Sequence, residues 1–180
     1  MSAFKHFRTI THHRNLVMKY CFRIGLYRQG LLHDLSKYSY TEFSEGAKYW
    51  CGTESPNNPA RRDRGYSNAW IHHKGRNKHH FDYWIDYDPK RRGSLHGVDM
   101  PRRYIAELIC DRIAAAETYN GEAYNDKQPL EYYLKSKEGL WFVSENTKKD
   151  VEFLLRMLSE KGRMETFSYI KNDYLKGKEL

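Results

Sequence analysis

The sequence predicts an all-α protein, a single-domain helical bundle. Apolar residues recur at three- and four-residue spacing in several segments, cap and stop residues bound those segments, and no run alternates apolar with polar residues as a half-buried strand does. At 180 residues the chain suits one domain and buries a real core without disulfides or a structural metal. Residues 1–180 are therefore read as one unit with its core over about 10–160, and only Lys176–Leu180 reads as a tail.

The first helix is expected from about Thr11 to Ile24. Val17, Tyr20 and Ile24 share one face, His13 lies on the same stripe, and Gly25 offers a stop. Leu31, Leu32 and Leu35 then make a short apolar turn around His33 and Asp34. Ser39 and Glu42 have the S-x-x-E spacing of a capping box, opening a helix to about Trp50. Residues 51–65 hold two prolines and two glycines without an apolar period, so they read as a loop, which carries Arg61, Arg62 and Arg64. Residues 66–84 read as a helix anchored by Trp70, Ile71, Phe81 and Trp84, with Gly75 able to bend it. A second polar loop over 86–99 carries Lys90, Arg91 and Arg92. Asp99 and Pro101 fit the N-cap and first turn of a helix running to about Tyr119 and stopping at Asn120-Gly121, with Asp111 in its middle. After a short polar stretch, Ser144 caps a helix with Val151, Leu154, Leu155 and Leu158 on one face, ending at Gly162, and a last helix covers Glu165 to Leu175.

Composition narrows the function classes. Cys21, Cys51 and Cys110 cannot all pair and show no CxxC spacing, which favours reduced thiols and removes zinc-finger readings. The polar N-terminus lacks a secretory apolar run, and no stretch of about 18 apolar residues could span a membrane, so the expected location is the cytoplasm. A net charge of +8 attracts anions, which could be a nucleotide, a phosphorylated metabolite or nucleic acid. Charge alone does not choose among them.

The most informative stretch is GLLHDLSKYS, residues 30–39. An adjacent His33-Asp34 pair beside leucines packs poorly unless something binds both side chains. Asp34 also falls near the end of a helical turn, where a carboxylate is disfavoured without a cation. His13, the two His pairs of 72–80 and Asp111 could supply further ligands. Taken singly, His13 reads as well as a hydrogen-bonded core histidine, and Asp111 as a partner for Arg or Tyr. Imidazole and carboxylate together suit a divalent transition metal (Fe, Mn, Co or Zn), and one carboxylate can bridge two ions.

The order His13, His33-Asp34, a His-rich block, then Asp111 resembles the HD superfamily of metal-dependent phosphohydrolases. The strings HRNLVMKYC, GLLHDLSKYS, AWIHHKGRNKHHFDYW and YIAELICDRIAAA resemble in particular an uncharacterised bacterial family within that group. The resemblance covers about residues 10–160 and implies a bundle of the HD type. It implies that His13, His33, Asp34 and Asp111 bind one ion, and that histidines between the pair and the last Asp hold a second. Helical spacing places His73, Asn77 and His80 on one face and His72, Arg76 and His79 on the neighbouring row. His73 and His80 are thus the expected second-site ligands and His79 the third candidate, with His72 replacing them if the segment turns the other way.

One or two such ions activate water and polarise a phosphoryl oxygen, which predicts hydrolysis of a nucleotide or other small phosphate ester. Asp34 and Lys37 are the expected catalytic residues, Lys37 holding a phosphate oxygen or stabilising the leaving group. Arg61, Arg62 and Arg76 are the expected substrate-binding residues, and Lys90 to Arg92 could also guide an anion. Two other classes stand beside this one: an HD-type di-iron oxygenase, and a basic nucleic-acid-binding module without catalysis.

Overall fold

Helix α1 (Ser2–Arg23) begins earlier than predicted, because His6 and Ile10 extend the stripe of His13, Val17 and Tyr20 at alternating four- and three-residue steps. This is a computed structural model that describes residues 2–177; residues 178–180, the end of the expected tail, lie outside the described residues. Gly25, with φ of 84°, turns the chain into α2 (Tyr27–Leu32). The Ser39 hydroxyl accepts from the Glu42 N–H at 3.5 Å and starts α3 (Tyr40–Lys48). The Glu42 side chain does not complete the capping box; it turns inward.

Four local predictions need correction. Residues 51–65 are not all loop, since α4 (Asn57–Arg64) forms there around the single buried Ala60 and stops at left-handed Gly65. The helix predicted over 66–84 ends early: Ser67 caps α5 (Asn68–Lys74), and Gly75 releases the chain into turns and a 3-10 turn at Phe81–Tyr83. The second polar loop contains an antiparallel hairpin of β1 (Ile85–Tyr87) and β2 (Leu95–Gly97), with Ile85 opposite Gly97. Strands of three residues are too short to show alternation. Asp99 does not cap α6 (Arg102–Asn120), whose N-cap is Pro101; its carboxylate accepts from Asn146 Nδ2 at 2.9 Å.

The stretch before Ser144 holds another helix, α7 (Gln128–Ser136), with proline in its first turn and Tyr133 buried. Ser144 then caps α8 (Glu145–Asn172), which breaks at Gly162 (φ 78°, ψ 172°), so the two predicted C-terminal helices meet without a loop.

Packing follows the apolar faces. α1 lies on α6, α2 and α3; α5 packs on α3; α6 and α7 pack on α8. Val17 and Tyr20 of α1 and Ile24 just after it meet Ile105, Ile109 and Ile113 of α6 and Leu154 and Leu158 of α8 in one buried cluster. Each such side chain contributes about 1.5–3 kcal/mol by leaving water. Beyond the Gly162 break, Arg163 ties the ends together: its N–H donates to Asp126 Oδ2 at 2.9 Å, and its guanidinium donates to the Tyr20 hydroxyl at 2.8 Å and Glu117 Oε1 at 3.0 Å. No helix among the described residues is long and apolar enough to cross a membrane.

Gly97 sets the hairpin against the start of α8. A Cβ there would run into the backbone at Phe142 and Ser144, which cannot swing aside as a side-chain tip can. Gly97→Ala is expected to destabilise the protein by about 1–3 kcal/mol, the range for overpacking, read as a lower urea midpoint at unchanged slope.

Candidate metal centre

Four separate segments deliver ligands to one buried place. α1 brings His13, the turn after α2 brings His33 and Asp34, the end of α5 and the turns after it bring His73, His79 and His80, and α6 brings Asp111. Asp34 has φ 53° and ψ 25°, the one positive φ outside glycine among the described residues. Aspartate tolerates this left-handed conformation better than most residues. The turn places its carboxylate at the centre, 1% exposed.

The two oxygens of Asp34 face two histidine sets. Oδ2 lies 3.3 Å from His33 Nε2 and 3.9 Å from His13 Nε2, and His13 Nε2 is 2.9 Å from Asp111 Oδ1. Oδ1 lies 3.2 Å from His73 Nε2 and 3.4 Å from His79 Nε2, while His73 Nε2 is 2.9 Å from His80 Nε2. In each group, His13–His33–Asp34–Asp111 and Asp34–His73–His79–His80, one ligand atom per residue lies within 4.8 Å of the others. His72 faces away, its Nδ1–H donating to Glu42 Oε1 at 2.6 Å.

Two buried glutamates, absent from the predicted site, orient the ring nitrogens. Glu107 Oε1 accepts from His33 Nδ1 at 2.9 Å and lies 3.2 Å from His79 Nδ1; Glu42 Oε2 accepts from His73 Nδ1 at 2.7 Å. A carboxylate can only accept, so each Nδ1 carries a proton, and each Nε2 is turned toward Asp34.

Electrostatics keep the carboxylates ionised. Burial opposes the charge on Asp34, yet His33, Lys37 and His73 outweigh it and hold the carboxyl well below the usual range. Asp111 is held down against the same burial by His13 and His33. Burial also opposes a charge on His33, but Asp34, Asp111 and Glu107 overcome it and push its imidazole up. His13 is pushed down by burial and then by Lys37, and His80 by burial and then by His79 and His73. Lys37 Nζ lies 2.6 Å from Asp34 Oδ2. Four carboxylates thus gather around one ammonium, an excess of negative charge that suits bound dications.

The donor set passes a stricter test. His13 Nε2, His33 Nε2, His79 Nε2 and both Asp34 oxygens are buried without a well-directed hydrogen bond. Buried polar atoms are normally satisfied. Five converging exceptions with imidazole and carboxylate chemistry fit a divalent transition metal, held on either side of Asp34.

The predicted arginines are placed differently. Arg61 lies over the Trp70 ring at 5.4 Å and does not line the cavity of about 180 Å³ that opens onto the cage, whose lining includes Lys37 and Trp70. Arg62 is paired with Glu54, and Arg64 with Glu45. Arg76 donates to the His72 carbonyl at 3.1 Å and lines a separate surface groove. Lys90, Arg91 and Arg92 are exposed in the hairpin loop.

Glu107→Gln is expected to weaken metal affinity about 10–100-fold at unchanged helix content, since it removes the negative charge from the acceptor shared by His33 and His79. Titration against a chromophoric chelator measures this.

Residues 2–157 match the profile of DUF5662, described as a family of unknown function. The match spans every residue of the cage. No curated protein and no solved structure matches the chain.

Proposed function

The chain belongs to DUF5662, a family of unknown function, and from its side chains we propose that it is a metal-dependent phosphohydrolase of the HD type acting on a small phosphate ester. The observation that carries this reading is the shared Asp34, with imidazoles on both sides and an ammonium at its edge. His13, His33, Asp34 and Asp111 would hold one ion, and Asp34, His73, His79 and His80 a second. A divalent ion held there supplies Lewis acidity toward a phosphoryl oxygen and lowers the pKa of water to near 7.

The chain's own groups do the rest. Lys37, lining the cavity beside Asp34, offers its ammonium to a phosphoryl oxygen and offsets charge as the ester bond breaks. Glu107 and Glu42 fix the ring orientations. The cavity of about 180 Å³ is smaller than the roughly 300–1,000 Å³ of drug-sized sites, which suits a phosphoryl group with a short alcohol. The engagement of Arg61, Arg62 and Arg64 with Trp70, Glu54 and Glu45 weakens the nucleic-acid reading, because those cations already have partners.

Metal-loaded protein screened against phosphomonoesters should release inorganic phosphate, and Lys37→Ala should lower the rate about 100-fold with metal content retained. Fully loaded protein that releases none from any ester sinks this reading. Oxygen uptake in its place would turn it toward the oxygenase.

A further inference from the structure

The cavity beside the cage carries polar groups that phosphoryl hydrolysis leaves unused. His6 lines it from α1 and is 5% exposed. Its Nδ1 is buried without a hydrogen bond, and its ring makes one aromatic contact, with Phe43 at 5.3 Å. Tyr119 lines the same cavity from α6. Gly46 in α3 makes the room for His6: a Cβ there would run into the imidazole. A glycine inside a helix disfavours it relative to alanine, so the space around His6 has a cost that core packing alone does not explain.

Helix geometry sets the two groups apart from the cage. His6 precedes His13 by two turns of α1, roughly 10 Å along the axis, and Tyr119 follows Asp111 by two turns of α6, roughly 12 Å. Lys37 lines the cavity with both of them while its ammonium lies 2.6 Å from Asp34 Oδ2. Burial, then Lys37, pushes His6 down to about 4, and burial pushes the Tyr119 phenol up. Both groups are therefore neutral near pH 7. Lys37 is the one lysine or arginine lining the cavity among the described residues, which provides for a single phosphoryl group.

Resting on the phosphohydrolase reading, we propose that His6 and Tyr119 form a leaving-group subsite that recognises the hydroxyl of a small, uncharged alcohol esterified to one phosphate. Each supplies a neutral hydrogen-bonding group that an alcohol oxygen satisfies and an alkyl chain leaves unpaired.

Manganese-loaded protein is tested with glycerol 1-phosphate, ethyl phosphate and inorganic phosphate, by kcat/KM for the esters and by calorimetric affinity. Wild type should prefer glycerol 1-phosphate over ethyl phosphate by about tenfold or more. His6→Phe and Tyr119→Phe should each bring that ratio toward one, with metal content and inorganic phosphate affinity retained. Tyr119→Phe removes one oxygen only, so the test survives if His6→Phe fails to fold. No preference in wild type, an unchanged ratio in Tyr119→Phe, or an equal loss of inorganic phosphate affinity overturns the subsite. If neither ester turns over while the preference persists in affinity, hydrolysis fails and the subsite stands.

Discussion

Asp34→Asn should reduce bound metal to well under half of the wild-type content and lower phosphate release by about 1,000-fold or more, the scale of losing several kcal/mol of charge stabilisation. Asparagine keeps the volume and tolerates the left-handed backbone that Asp34 adopts, so the change isolates the charge. That charge belongs to both four-residue groups. The same substitution leaves Lys37 beside a neutral amide, turning its ammonium from a counter-ion into a repulsive neighbour for any cation. Elemental analysis next to circular dichroism reads the result. A folded variant with full metal content would refute the ligand assignment.

Metal should also stabilise the fold by a measurable margin. Ligand at 100 times its dissociation constant adds about 2.7 kcal/mol per site. For a chain of this size each kcal/mol moves the melting temperature by about 2–4 °C, so saturation should raise it by roughly 5–11 °C for one ion and more for two. The physical source is the crowd of ionised carboxylates and unsatisfied ring nitrogens around Asp34. Scanning calorimetry with chelator and then with manganese, zinc or iron gives the shift. An equal rise in Asp34→Asn would locate the effect elsewhere on the surface.

Sequence reasoning reached the centre more easily than the elements around it. His13, His33, Asp34 and Asp111 could be chosen by order along the chain, because adjacent His-Asp among leucines has few packing uses. The helical register of 72–80 was a poor guide. It depends on Gly75, and once the chain leaves α5 there, His79 and His80 reach the cage together. Glu42 has the spacing of a cap residue, and only tertiary packing turns its carboxylate to His72 and His73. Glu107 is visible in YIAELICD as an acid among apolar residues, four residues before Asp111 and on the same face. His6 could have been found by carrying the α1 stripe back from His13. Short elements escaped for a different reason: α4, with one buried residue, and the three-residue strands are held by their neighbours and carry no period of their own.

The clasp at Arg163 bears on how the molecule comes apart. It grips Tyr20 across 143 residues of chain, so the helix that presents His6 and His13 is anchored by a segment distant in sequence. Such contacts close slowly, because the loop entropy comes before the reward. Loosening of the segment around Arg163 should therefore register at α1, and a truncation before Arg163 would loosen ligands that lie far away in sequence.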